Sequence, residues 1–236
     1  MILYGRNPVR EALRGRRAVH RIWASRGTSG AEWLADRDVA EADPAELEAL
    51  CGSADHQGIC AEAEPYPYAE AEALLDGADA LVLCLDEVQD PHNLGAVCRV
   101  AEAAGAAGVV IPQRRSAEIT PSACKASAGA VEHLSVARTR NLADWLVETK
   151  DAGAWVYGAA TGAGSVAYDR PDYRGRVVLV LGSEGRGLRP RVSAACDQLV
   201  ALPQRGRVGA LNVSTAAAAI VYGILHLREE GVDRGT

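Results

Sequence analysis

Three short stretches bring together side chains able to hold and orient a polar substrate. "DEVQDPHNLGAVCR" (86–99) carries Asn93 and Arg99, "GSEGRGLRP" (182–190) carries Glu184, and "PQRGRVGALN" (203–212) ends in Asn212, with Ser214 and Thr215 just beyond. An amide, a guanidinium, a carboxylate and a hydroxyl at strand ends can face a polar ligand. Each also has a plain structural reading. Asn93 can cap a helix, as can Asn212 or Ser214, Arg99 can lie along a surface, and Glu184 can be a solvated turn acid.

Other chemistries lack their residues. "GSEGRG" has the wrong glycine spacing for a dinucleotide fingerprint, lies late in the chain, and centres on an acid that would repel a pyrophosphate. No phosphate-binding G-x-x-x-x-G-K-[ST] and no G-x-S-x-G elbow occurs. The six cysteines, Cys51, Cys60, Cys84, Cys98, Cys124 and Cys196, form no C-x-x-C pair and no cluster with histidine, so we expect buried thiols and no metal. Of the histidines, His20, His133 and His226 fall in strand-like or helical context, and His56 and His92 in loops.

The elements that must position these loops follow from periodicity. "ALVLCLD" (80–86) is a continuous apolar run, as in a strand buried on both faces. Helices are expected over 93–105, 141–153 and 212–228, and strands over 107–112, 154–160, 176–182 and 198–203. Such alternation predicts an α/β fold with a covered parallel sheet, in which ligands bind beyond the carboxyl ends of the strands. All three loaded loops leave predicted strands there. Upstream, a helix over 6–15 (Asn7 as cap), strands over 19–25 and 57–64, and a helix over 43–52 predict a small separate α/β unit. "PYPYAEAEALLDGADA" (65–80) reads as a linker with a short acidic helix. The expected division is 1–64, a linker at 65–79, and 80–236.

The net charge of −6 hides a strong asymmetry. Residues 1–30 hold seven arginines and one acid, 31–80 hold fourteen acids and one arginine, and eight arginines fall between 170 and 207. A local basic face attracts phosphates whatever the total charge. A solvated surface in an arginine-favouring protein accounts for the same counts, and only Lys125 and Lys150 are lysines. No apolar run reaches the roughly 18 residues of a membrane span. "MILYGRNPVREALRGRR" lacks a signal-peptide core, so a cytoplasmic protein without membrane partners is expected.

Taken with their order and spacing, "DPHNLGAVCRVAEAAG", "LVLGSEGRGL" and "LPQRGRVGALNVSTAAAAIVY" resemble the three motifs of the SpoU/TrmH branch of the SPOUT methyltransferases. "YGRNPVREAL" and "HQGI" (56–59) are similar to the L30e-like substrate-binding domain of its ribosomal RNA members. The resemblance implies transfer of a methyl group from S-adenosyl-L-methionine to a ribose 2′-OH of structured RNA, a guanosine of 23S rRNA in first place. It leaves a tRNA 2′-O-methyltransferase, or a catalytically weak RNA-binding relative, as alternatives. It also implies a deep trefoil knot in the C-terminal domain, which general rules of chain threading would not suggest, and a homodimer packed through that domain.

Residue by residue, the resemblance places Asn93, Arg99, Glu184, Asn212 and Ser214 at the catalytic end. It places Thr161, Gly162, Gly182, Gly185, Leu202, Leu211 and Asn212 around the cofactor. Arg186, Arg189, Arg205 and Arg207, with Arg6, Arg10 and Arg14 upstream, are expected on RNA phosphates, which position RNA without reading its sequence. A guanidinium resists deprotonation, so Arg99 is expected to orient and stabilise, not to act as base. One position departs: the family reads S-L-N where this chain has Ala210-Leu211-Asn212. We expect Ser214, Thr215 or water to replace that hydroxyl, or the hydroxyl to be dispensable.

Overall fold

The computed structural model describes residues 1–162, 164–207 and 209–233, with side chains through 229. Its first four strands, β1 (Ile2–Tyr4), β2 (Val19–Ala24), β3 (Val39–Glu41) and β4 (Ile59–Ala63), form one sheet in the order β1-β4-β2-β3. Helices α1 (Arg6–Arg14), α2 (Arg26–Ser29) and α3 (Pro44–Cys51) pack around it. Asp43 and Glu46 close a reciprocal capping box on α3, and Gly52 ends it at φ 69°. Asn7 is not the cap of α1. Gly5 takes that place at φ 93°, a backbone geometry that suits glycine, and Gln57 Oε1 accepts the Arg6 N–H instead.

The second sheet has seven strands, all parallel. They are β5 (Leu81–Asp86), β6 (Gly108–Pro112), β7 (Val136–Thr139), β8 (Trp155–Ala159), β9 (Val166–Ala167), β10 (Val177–Gly182) and β11 (Gln198–Ala201). Their order is β7-β6-β5-β10-β8-β11-β9. Alternation decides which helix covers which face. Leu81, Leu83 and Leu85 join the core beneath α4 (Pro91–Ala103), α5 (Pro121–Ala126) and α8 (Val213–Asp233). Val82 and Cys84 face α6 (Leu142–Asp151) and α7 (Pro190–Ala195). The helix of the first loop therefore starts at Pro91, not at Asn93. Asp90 caps it by accepting the His92 N–H at 2.9 Å, and proline suits its first turn.

Residues 65–79 pack closely against the second sheet. Tyr66 is buried and donates its hydroxyl to Leu134 O at 2.7 Å, and Ala69 bridges to Ala137. The acidic stretch forms only a 3-10 turn over 72–75, with Leu74 and Leu75 buried. Between the two sheets lies an ion pair of Arg17 and Glu132, each side chain 1% exposed. Burial works against the Arg17 charge, but the hydrogen bonds and charge of Glu132 outweigh it and raise the guanidinium above its ordinary value. All six cysteines are free, with Cys51 and Cys196 half-buried and the others buried. Among the described residues no helix is long and apolar enough to cross a membrane, and no His/Cys/Asp/Glu cluster could hold a metal.

Candidate active site

The loops beyond β8, β10 and β11 meet because those strands are neighbours in the sheet, although 161, 182 and 202 are far apart in sequence. They enclose a cleft of about 260 Å³. Thr161, Gly182, Gly185, Leu202 and Leu211 all line it, and Ala210 lies beside Leu211. Gly162 and Asn212 do not line it. The inner walls are apolar: Leu181, Val200, Val213 and Ile220. Val213 and Ile220 belong to the buried stripe of α8, with Ala217, Val221 and Ile224. That i, i+3, i+4 pattern was legible in the sequence as a core face and not as a cleft wall.

Gly182 has a specific reason to lack a side chain. A Cβ there would overlap the carbonyl of Gly187, because the chain folds back on itself: Gly187 N–H donates to Ser183 O at 2.9 Å. The tight loop carries Glu184 at its tip. Next to the cleft lies a second cavity of about 340 Å³, lined by Glu87, Gln89, Asp90, Asn93 and Arg186. Ser183, Glu184 and Val213 belong to both linings, so one wall separates the two spaces.

At that wall the sequence's polar residues converge. Asn93 Nδ2 donates to Glu184 Oε1 at 2.9 Å. Asn212 Nδ2 donates to the same oxygen at 2.5 Å and to Asn93 Oδ1 at 2.9 Å. The other end of Asn212 caps α8: its Oδ1 accepts the Ser214 N–H at 2.8 Å and the Ser214 hydroxyl at 2.6 Å. The capping and site readings of Asn212 are thus both true, one per end of the amide. Ser214 donates its hydroxyl to that cap and lines neither cavity.

The structure does not bring Arg99 to this cluster. It is exposed on α4 and has no hydrogen bond or ion pair with any described residue. Six residues of helix turn it roughly 120° away from Asn93. The expected phosphate-binding arginines also divide. Arg186 lines the second cavity, and Arg205 and Arg207 are exposed in the loop before α8. Arg10 and Arg14 pair with Glu11, and Arg6 reaches Thr28 at 3.5 Å. Arg189 is clamped to Asp86, which is fully buried. The sequence reading missed Asp86. Its signal was an acid ending a strand with every residue buried, which demands a counter-charge.

Comparison with known proteins agrees with this geometry. The SpoU rRNA Methylase family matches residues 80–222, and the RNA 2′-O ribose methyltransferase substrate binding family matches residues 2–69. A putative TrmH family tRNA/rRNA methyltransferase of Bacillus subtilis, YacO, is 36% identical over 95% of this chain and 94% of its own. A tRNA/rRNA methyltransferase of Synechocystis, itself uncharacterized, is 40% identical over 100% of this chain, which spans 64% of that relative's length. The crystal structure of an AdoMet-bound rRNA methyltransferase from Sinorhizobium meliloti superposes with a TM-score of 0.80 at 26% identity, covering 95% of this chain and 86% of that one. The two family matches, in that order along one chain and meeting at a shared core, show that this protein belongs to the SpoU rRNA methylase family.

Proposed function

We propose that the protein transfers a methyl group from S-adenosyl-L-methionine to a ribose 2′-OH of structured RNA, a guanosine of 23S rRNA in first place. The observation that carries this reading is the pair of adjoining cavities with Glu184, Asn93 and Asn212 at their common wall. An apolar cleft edged by strand-end backbone groups suits an adenine nucleoside. Among the described residues no lysine or arginine lines it. Thr161, Gly182, Gly185, Leu202 and Leu211 would hold S-adenosyl-L-methionine, which when bound supplies an electrophilic methyl on a sulfonium. The deep trefoil knot of the family belongs to this reading.

The chain's own residues then do three things. Glu184 gathers two amide donors on Oε1 and so ties Asn212 to Asn93, which lines the acceptor cavity. The remaining carboxylate oxygen and the Asn93 amide can orient a sugar hydroxyl towards the cleft, the positioning an in-line transfer needs. Arg186 lines the acceptor cavity, Arg205 and Arg207 are exposed in the loop before α8, Arg99 is exposed on α4, and none of the four guanidinium groups pairs with a described residue, which leaves them for the RNA backbone. Thr161 and Ser183 bring hydroxyls to the lining of the cleft that also includes Ala210. The basic face of the first unit, with Arg6, Arg10 and Arg14, extends the RNA track. Leu211 and Tyr222, 45% and 51% exposed, leave apolar surface near the cleft and on α8 for a second copy in a homodimer. A cytoplasmic location follows from ribosomal RNA as substrate.

The test uses the fact that a 2′-O-methyl group removes the nucleophile of alkaline RNA cleavage. rRNA from a deletion strain, incubated with the protein and S-adenosyl-L-methionine, should gain one alkali-resistant linkage. Methyl transfer to a base, or to no RNA, would refute the reading. Gain of the linkage in tRNA instead would move the substrate and keep the chemistry.

A further inference from the structure

Arg189 has the sequence position of an RNA-contacting arginine, and its surroundings give it another task. Asp86 ends β5 and pairs in register with Gly182, which ends β10. One Asp86 carboxylate oxygen accepts Arg189 Nε at 2.7 Å and lies 2.7 Å from its Nη2. The other accepts the main-chain N–H of Arg189 at 2.8 Å. The carboxylate is fully buried. Glu87, held at φ 56°, places a second and 10% exposed carboxylate 3.5 Å from the same guanidinium, and Arg115 approaches Glu87 from outside at 3.6 Å.

Between Gly182 and Arg189 the chain makes the closed loop that carries Glu184. The loop has two roots. One is Gly182 in the sheet, pressed on Gly187, and the other is Arg189 on Asp86. Inside the loop the Ser183–Gly187 bridge closes the turn that carries Glu184. We propose that Arg189 is a positioning residue, not an RNA contact: its fork on Asp86 holds the loop so that Glu184 meets Asn93 and Asn212. Three contacts from one residue, two by the planar fork and one by the main chain, set both the place and the direction of the loop. A lysine can supply the charge but not the fork. Misplacement by about 1 Å can cost about a hundredfold in rate when geometry carries catalysis.

This inference rests on the methyl-transfer reading for its kinetic arm, and a second arm is independent of it. In the kinetic arm, Arg189→Met is expected to lower kcat at least tenfold, with the KM for RNA and its salt dependence unchanged. Arg189→Lys is expected to recover part of the loss. A phosphate contact would do the reverse: KM would rise, the log-log salt slope would weaken by about one, and kcat would hold. That result overturns the proposal. Should Arg189→Met fail to fold with Asp86 left bare, the double variant Asp86→Leu/Arg189→Met removes the stranded charge. It is expected to fold and to stay slow, and wild-type kcat in it would overturn the proposal. In the second arm, the side-chain amide resonances of Asn93 and Asn212 are followed by NMR. They should move towards free-amide positions in Arg189→Met and partly return in Arg189→Lys, and unmoved resonances refute the positioning role. A wild-type protein that methylates no RNA sinks the parent reading alone, since the amide signals still decide this one.

Discussion

Removing Arg17 should destabilise the protein more than any other single truncation at the junction of its two sheets. The guanidinium donates Nε to Glu132 Oε2 at 2.9 Å, pairs through Nη2 with Oε1, and donates Nη1 to Glu64 O at 3.1 Å. It also lies 5.6 Å from the centre of the Tyr66 ring. With both ionic side chains 1% exposed, water cannot replace the lost partner. Arg17→Met therefore strands a buried carboxylate, at a cost of about 3–5 kcal/mol. For a chain of this size that is a fall of roughly 6–20 °C in Tm. Arg17→Met/Glu132→Leu removes both charges and should regain most of the loss, short of about 1 kcal/mol for the Glu64 carbonyl. Urea unfolding by tryptophan fluorescence measures this, because Trp23 and Trp33 report the first unit, and Trp145 and Trp155 the second. A cost under about 1 kcal/mol for Arg17→Met, or a double variant no more stable than the single, would refute the reasoning.

Other perturbations address the cleft, the cluster and acid stability. Gly182→Ala drives a Cβ into the Gly187 carbonyl and should abolish S-adenosyl-L-methionine binding by calorimetry while circular dichroism stays native. Asn212→Ala removes a cap and a donor to Glu184 together. It should cost about 1 kcal/mol of stability and at least a hundredfold in methyl transfer, and a variant that loses only stability would reduce Asn212 to a cap. Glu11 bridges α1 to His133 and the neighbouring arginines. Burial raises its pKa, but the hydrogen bonds to His133 and Arg10 and the arginine charges outweigh that and hold it below the ordinary 4.5. A depressed carboxylate contributes its stabilisation in full above about pH 4.5 and loses it as pH falls through the lowered value. Glu11→Gln should flatten the acid limb of the stability curve, and an unchanged limb would contradict the assignment.

The parallel sheet was readable because β5 and β10 are short runs apolar on both faces, as strands covered by helices on either side must be. The loaded loops were readable as strand ends. What sequence could not give was the order β10-β8-β11, which alone brings Thr161, Gly182 and Leu202 to one cleft. Short elements escaped for lack of a period: β1 and β3 have three residues each, and β9 has two. The Asn93–Glu184–Asn212 cluster spans 119 residues and needs the tertiary fold to form. Arg99 shows the converse. Its angle from Asn93 on one helix is fixed by sequence, and that angle already separates their faces. Among the arginines, charge counting could not tell Arg189, locked to a buried acid, from Arg205 and Arg207 in open solvent.

Two adjoining spaces share a wall that holds Glu184, and the proposed function assigns one to the methyl donor and the other to a sugar hydroxyl. A crystal structure of the protein with S-adenosylhomocysteine examines this directly. The expected result has the adenine between Leu202 and Leu211 and the sulfur turned towards the cavity of Asn93 and Arg186. A ligand bound elsewhere, or one whose sulfur faces away from Glu184, would contradict it.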